Sequence, residues 1–245
     1  MFGKIITEML TPLTSCNDID LDVLQDYLSY LSQNYTDSLI INGELSEFDK
    51  LTYKNKLAFV KKVVALKSAK MKILYLIDRK NTFLDKIDKY IDGYIVKNNP
   101  QDIKQINNKP FMIYNPDLNM INKYKIQHII LTKENITLIT RYKKQFPDVN
   151  IYINKPEFMF TGLIHGIVTP MSNLYGDTIH LLMQLIKMKE YELAHDLLFI
   201  YKARFTLLEN HSNKSNIFKS ALSKIGIGFK VHNIAKKELL RFIGV

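Results

Sequence analysis

The sequence predicts an α/β fold, a (β/α)8 TIM barrel with a C-terminal helical extension and some barrel helices shortened. Three observations predict it. Eight short apolar runs of four to six residues recur up to Thr169, helical patterns or polar links separate them, and only helical patterns follow. Runs this short and apolar fit strands buried on both faces, and strict strand–helix alternation favours a closed parallel barrel over an open sheet. The 245 residues match a barrel domain of about 250 residues.

The first strand is expected over Ile5–Leu10. A helix follows over Leu21–Asn34, where Leu21, Leu24, Leu28 and Leu31 recur at helical spacing behind the acidic start Asp18, Asp20 and Asp22. Ser38–Asn42 is the second strand, and Thr52–Ser68, with Leu57, Val60, Val64 and Leu66, the second helix. Lys72–Ile77 and Asn81–Ile91 form the third pair, with Asn81 or Thr82 as N-cap. Gly93–Lys97 and Phe111–Tyr114 are strands four and five. The link Asn98–Lys109 is too short and polar for a full helix, and Pro116–Gln127 is barely better. The barrel is therefore expected to be thinly covered there, and to use that surface for self-association as a homo-oligomer. His128–Lys133, Asn135–Phe146, Asn150–Asn154 and Gly166–Thr169 complete the alternation. Helices at Thr178–Met188, Tyr191–Leu208, Ser215–Ile225 and Ala235–Phe242 are expected to pack on the barrel. One structural unit results, residues 1–175 being barrel and 176–245 the extension.

Composition narrows the function classes. The net charge of +10 invites a nucleic-acid partner, but the lysines are spread along the whole chain with no dense basic block and no zinc or base-stacking motif. No nucleic-acid partner is expected. Cys16 is the only cysteine, which excludes an intrachain disulfide and a cysteine-based metal site. The N-terminus lacks a signal-peptide core, and no run approaches about 18 apolar residues. A cytoplasmic protein without a membrane partner is expected.

Several clusters have an ordinary structural explanation. The spacing of Asp18, Asp20, Asp22 and Asp26 lacks the glycine and terminal glutamate of a calcium loop. His165 and His180 are isolated, and Glu192 and His195 read as a surface pair on a helix. Tyr191, Phe199, Tyr201 and Phe205 are expected to pack between helices, and Gly226 and Gly228 to end a helix. No Gly-rich phosphate loop is present. Neither a metal nor a cofactor is expected.

Two residues point to chemistry. Lys133 ends the run His128-Ile129-Ile130-Leu131-Thr132-Lys133, and Tyr114 ends Phe111-Met112-Ile113-Tyr114. On neighbouring parallel strands both would emerge at the strands' carboxyl ends, where barrel enzymes keep their active sites. An amine beside a phenol is the minimum equipment for imine catalysis on a 2-oxo acid, with Lys133 as nucleophile and Tyr114 as proton carrier. A strand-end lysine can equally be a solvated charge, and position alone does not decide between the two.

The order of several fragments resembles the dihydrodipicolinate synthase and N-acetylneuraminate lyase family of class I aldolases. Gly3-Lys4-Ile5-Ile6-Thr7-Glu8-Met9-Leu10-Thr11-Pro12 with Ile19-Asp20 resembles its first strand and following turn. Ile113-Tyr114-Asn115-Pro116 resembles its Tyr-Asn motif, Ile129-Ile130-Leu131-Thr132-Lys133-Glu134 its Lys-Glu motif, and His165-Gly166-Ile167-Val168-Thr169 its eighth strand. His211-Ser212-Asn213-Lys214 and Leu222–Gly226 resemble its tail. The resemblance implies pyruvate bound as an imine on Lys133, with Tyr114 shuttling the proton and Gly43 and the Val168 backbone shaping the pyruvate end.

The departures concern the carboxylate site. The family's Gly-Thr-Thr-Gly-Glu segment cradles the pyruvate carboxylate, and its counterpart here is Gly43-Glu44-Leu45-Ser46-Glu47. Leu45 cannot donate a side-chain hydrogen bond, and an inward Glu44 would repel a carboxylate. The family's arginine after the Tyr-Asn motif has no counterpart in Pro116-Asp117-Leu118-Asn119. Its tyrosine pair after the fourth strand is replaced by Lys97-Asn98-Asn99-Pro100, and its Gly-Asp-Asp turn by Asn154-Lys155-Pro156-Glu157. The nearest activity so implied is 4-hydroxy-tetrahydrodipicolinate synthase, joining pyruvate to aspartate semialdehyde in lysine biosynthesis. The alternatives are a 2-oxo-acid sugar lyase and a catalytically weak or inactive scaffold or partner subunit.

Overall fold

The computed structural model describes residues 2–77, 84–104, 106, 109–132, 136–210 and 213–231. Eight parallel strands close into a barrel in sequence order: β1 Ile5–Glu8, β2 Ser38–Ile41, β3 Lys72–Ile77, β4 Gly93–Val96, β5 Phe111–Tyr114, β6 His128–Leu131, β7 Asn150–Ile153 and β8 Gly166–Thr169. Closure comes from β1 against β8, with Ile5 opposite Ile167 and Thr7 opposite Thr169. Strand alternation sorts the side chains into two cores. Ile6, Ile40, Leu74, Leu76, Ile95, Met112, Ile130 and Val168 fill the barrel interior. Ile5, Leu39, Ile41, Ile73, Tyr75, Val96, Ile113, Ile129, Leu131 and Ile167 pack outward under the helices. Two buried faces explain why the strands read as unbroken apolar runs rather than alternating ones.

The helices are α1 Leu21–Gln33, α2 Tyr53–Leu66, α3 Leu84–Ile87, α4 Pro100–Ile103, α5 Leu118–Tyr124, α6 Ile136–Gln145, α7 Ser172–Met188, α8 Tyr191–Asn210 and α9 Lys214–Lys224. Asp20 caps α1 by accepting from the Val23 N–H, and Thr52, Asn99, Asp117 and Asn213 cap α2, α4, α5 and α9 in the same way. The thin cover over β4 and β5 is real, since α4 has four residues and α5 seven. Among the described residues, however, no large apolar side chain is exposed there. Exposed ones lie elsewhere, among them Met188 at the end of α7 and Tyr191, Leu193, Phe199 and Ile200 in the first half of α8. Phe199 and Tyr191 therefore do not pack between helices as the sequence led us to expect, whereas Phe205 is buried and both it and Tyr201 meet the Tyr175 ring. The expected caps Asn81 and Thr82 and the expected helix Ala235–Phe242 lie outside the described residues.

α7 begins six residues before its sequence-predicted start. Tyr175 leaves helical geometry within it. Gly176 is there for a close approach rather than to end the helix: a Cβ at this position would lie well under 3.0 Å from the Asn34 carbonyl. Asn34 also accepts the Asp177 N–H at 2.9 Å. The first turn of α7 is fastened to β1, because Asn173 Nδ2 donates to the Glu8 carbonyl at 2.9 Å and Thr7 Oγ1 donates to Ser172 at 2.8 Å. This fixes the end of β1 at the barrel mouth.

Candidate active site

A cavity of about 840 Å³ opens at the carboxyl ends of the strands. Glu8, Gly43, Glu44, Leu45, Lys97, Tyr114, Asn115, Thr132, Val168, Lys214 and Phe218 are among its walls. This is the rim where barrel enzymes keep their active sites.

Tyr114 is the last residue of β5 and packs against the interior core. Burial first, and then the negative charges of Glu8 and Glu44, hold its phenol above the usual range, so at neutral pH it keeps its proton. Asn115 next to it adopts the left-handed region with φ 44°. That turn lets its amide grip the end of β6: Nδ2 donates to Thr132 Oγ1 at 2.7 Å, and Oδ1 accepts the Thr132 N–H at 2.9 Å. The Asn115 N–H donates to the Ile130 carbonyl at 2.8 Å. Tyr114 and Thr132 thus face one cavity from adjacent strand ends. Lys133, the sequence-predicted nucleophile, lies outside the described residues, as does Glu134.

Gly43, Leu45 and Val168 also line the cavity. Leu45 is buried, and its side chain offers no donor, but its backbone N–H points inward. Glu44 lines the cavity from an exposed position. The Leu45 N–H donates to Glu8 Oε1 at 2.6 Å. Glu8 is the site residue that sequence reasoning passed over as one more member of an apolar strand. It shares the inward parity of Ile6, two residues before it, and a carboxylate at an inward strand-end position was the available signal. Desolvation pushes its carboxyl up to about 7, the nearby Glu44 adds to the rise, and the backbone N–H groups of Leu45 and Glu44 and the charge of Lys214 oppose it.

Lys97 and Lys214 also line the cavity, the first standing where the resemblance leads one to expect tyrosines and the second at the start of α9. Glu47, at the end of the Gly43–Glu47 segment, is bridged by Lys219 and Lys50. Burial alone would raise the Glu47 carboxyl, but the hydrogen bonds and charges of Lys219 and Lys50 hold it below the usual range. The same burial pulls the Lys219 ammonium down, against the opposing effect of Glu47. The pair ties α9 to the cavity's edge, so the C-terminal helices complete the site. Among the described residues no group of His, Cys, Asp or Glu is arranged to hold a metal ion.

Comparison with known proteins places this geometry. No family model matches the chain. A 4-hydroxy-tetrahydrodipicolinate synthase of Halalkalibacterium halodurans is 28% identical over 83 residues, a stretch that spans 34% of this chain and 28% of that enzyme. Among solved structures, a dihydrodipicolinate synthase from Bacillus anthracis superposes with a TM-score of 0.85 at 20% identity, covering 100% of this chain and 97% of the other. The N-acetylneuraminate lyase of Mycoplasma synoviae gives 0.84 at 14%, covering 99% and 96%. A prophage protein of the dihydrodipicolinic acid synthase family from E. coli K12, solved in complex with pyruvate, gives 0.81 at 16%, covering 100% and 97%. The structural likenesses establish the fold, and the sequence match spans less than a third of the synthase's length. In fold, and over that matched stretch, the chain is similar to the dihydrodipicolinate synthase and N-acetylneuraminate lyase family.

Proposed function

We propose that the protein is an imine-forming lyase or aldolase in which Lys133 supplies the amine and Tyr114 carries the proton. One observation supports this above the others: Tyr114 and Thr132 line the same cavity, and Lys133 is the next residue of the sequence after Thr132. The neutral amine adds to a carbonyl carbon, and the carbinolamine loses water when its oxygen takes a proton. The imine then gives up a proton from the neighbouring carbon to become the carbon nucleophile. Tyr114 is suited to the proton steps because burial keeps its phenol protonated, and it lines the cavity. Gly43, Leu45 and Val168 would bound the donor's end of the pocket.

Pyruvate is the donor that the family resemblance implies, and 4-hydroxy-tetrahydrodipicolinate synthase the nearest named reaction. A 2-oxo-acid sugar lyase would use the same imine. A second reading, a weak or silent scaffold or partner subunit, draws on a specific observation: the inward N–H of Leu45 is already taken by Glu8. Self-association belongs to the same proposal and is assigned to the exposed apolar end of α7 and α8, where Phe199 is 81% exposed. A monomer in sedimentation at micromolar concentration would refute that part.

The catalytic proposal is tested by following pyruvate methyl protons in D2O by NMR. Exchange is expected in the natural protein at high pyruvate, reduced about 100-fold or more in Tyr114→Phe and absent in Lys133→Ala. Exchange that survives Lys133→Ala would refute the assignment of the amine, and no exchange at any pyruvate concentration would favour the silent-relative reading.

A further inference from the structure

We propose that Glu8 is a resident carboxylate occupying the cradle formed by Gly43–Leu45, and that it turns the donor site away from 2-oxo acids toward neutral aldehydes and ketones. The occupancy stands on geometry alone, whereas the substrate class rests on the imine reading above.

Three observations converge on Glu8. It ends β1 with inward parity, at the floor of the cavity's mouth. Its Oε1 accepts the Leu45 N–H at 2.6 Å, and the Glu44 N–H also favours its charged form. Gly43 meets it directly: a Cβ at Gly43 would lie well under 3.0 Å from Glu8 Cγ, Cδ and Oε1. The glycine's missing side chain therefore makes room for the protein's own carboxylate, not for a substrate's. The inward donors of this loop are saturated from within.

A carboxylate entering from solvent would have to displace Glu8 or sit beside it, with Glu44 on the same wall. Two like charges in one partly desolvated pocket repel strongly. Lys214, Tyr27 and Tyr114 are near enough for their charges or Glu8's to be felt, and of these only Lys214 brings positive charge. A carbonyl compound with no carboxylate next to the carbonyl meets no such conflict. It needs only space, an amine and the Tyr114 phenol. Hydroxyacetone is a suitable probe of that class, and pyruvate is its charged counterpart.

The test is carried out at pH 8, where Glu8 is mostly ionised, on the full-length chain and its Glu8→Ala and Glu8→Gln variants. Acetate binding is measured first, by titration calorimetry. Glu8→Ala opens a carboxylate-sized space below free N–H groups and should bind acetate saturably, at least about tenfold more tightly than the natural protein. Glu8→Gln fills the space and should not. Borohydride trapping is measured second. The ratio of pyruvate to hydroxyacetone adduct should rise at least about tenfold in Glu8→Ala and several-fold in Glu8→Gln, where only the charge is lost. Equal acetate binding in all three proteins, or an unchanged trapping ratio in Glu8→Gln, would overturn the proposal. If Glu8→Ala fails to fold, the Glu8→Gln ratio decides. If no carbonyl forms an adduct with any variant, the imine reading fails, while the acetate measurement still decides the occupancy of the cradle.

Discussion

The side-chain amide of Asn115 grips Thr132 twice, donating to its hydroxyl at 2.7 Å and accepting its backbone N–H at 2.9 Å. The two residues follow the ends of β5 and β6, so the amide sets the spacing of the rim on which Tyr114 stands. Asn115→Ala removes both bonds and leaves a Cβ residue without local compensation at φ 44°. A loss of about 2 to 3 kcal/mol in chemical denaturation is expected. Asn115→Gly should lose less, because glycine accepts that backbone geometry. Equal losses would show that the backbone conformation carries no cost.

Gly43→Ala places a methyl group against Glu8. Overpacking of about 1 to 3 kcal/mol is expected, and Glu8→Ala in the same chain should recover most of it. Additive effects in that double-mutant cycle would mean that the two residues do not press on each other.

Glu8 also predicts a pH dependence of stability. Its folded carboxyl titrates near 7 rather than at its ordinary 4.5, so between these values the folded state binds the proton that the unfolded state has released. Stability contributed by the neutral form is complete below about 4.5 and is lost as pH rises to about 7. Because the cavity leaves the side chain partly accessible, the change amounts to about 2 to 3 kcal/mol. Denaturation at pH 5 and pH 8 should show it in the natural protein and not in Glu8→Gln. The same slope in both would assign it to other groups.

Lys219→Met keeps the buried stem and removes the ammonium, leaving Glu47 with Lys50, whose side chain is 53% exposed. A loss of about 2 kcal/mol at neutral pH is expected, short of the 3 to 5 kcal/mol for a fully uncompensated buried charge. It should shrink as acid protonates Glu47, whose carboxyl is held low in the folded state. No loss at neutral pH would mean that the bridge does not hold α9 to the barrel.

The barrel was legible because double-faced burial makes each strand a short apolar run. β3, β5 and β8 match their expected bounds, and the other five stop one or two residues short. That Tyr114, Gly43, Leu45 and Val168 share one cavity follows from parallel strands bringing their carboxyl ends together. Glu8 was not, since an apolar run hides which face its charged member takes. The early start of α7 was hidden by Gly176, whose role is contact with Asn34 and is invisible without the fold. Exposed Tyr191 and Phe199 were read as packing residues because helical spacing identifies a face without saying what covers it.

The imine on Lys133 is tested most directly by reducing a mixture of the protein and pyruvate with borohydride and mapping the adduct by peptide mass spectrometry. A single adduct on Lys133 is expected, weak and needing high pyruvate, and stronger when Glu44 and Leu45 are both changed to threonine. Adducts scattered over surface lysines, or none on Lys133 in either protein, would contradict the assignment.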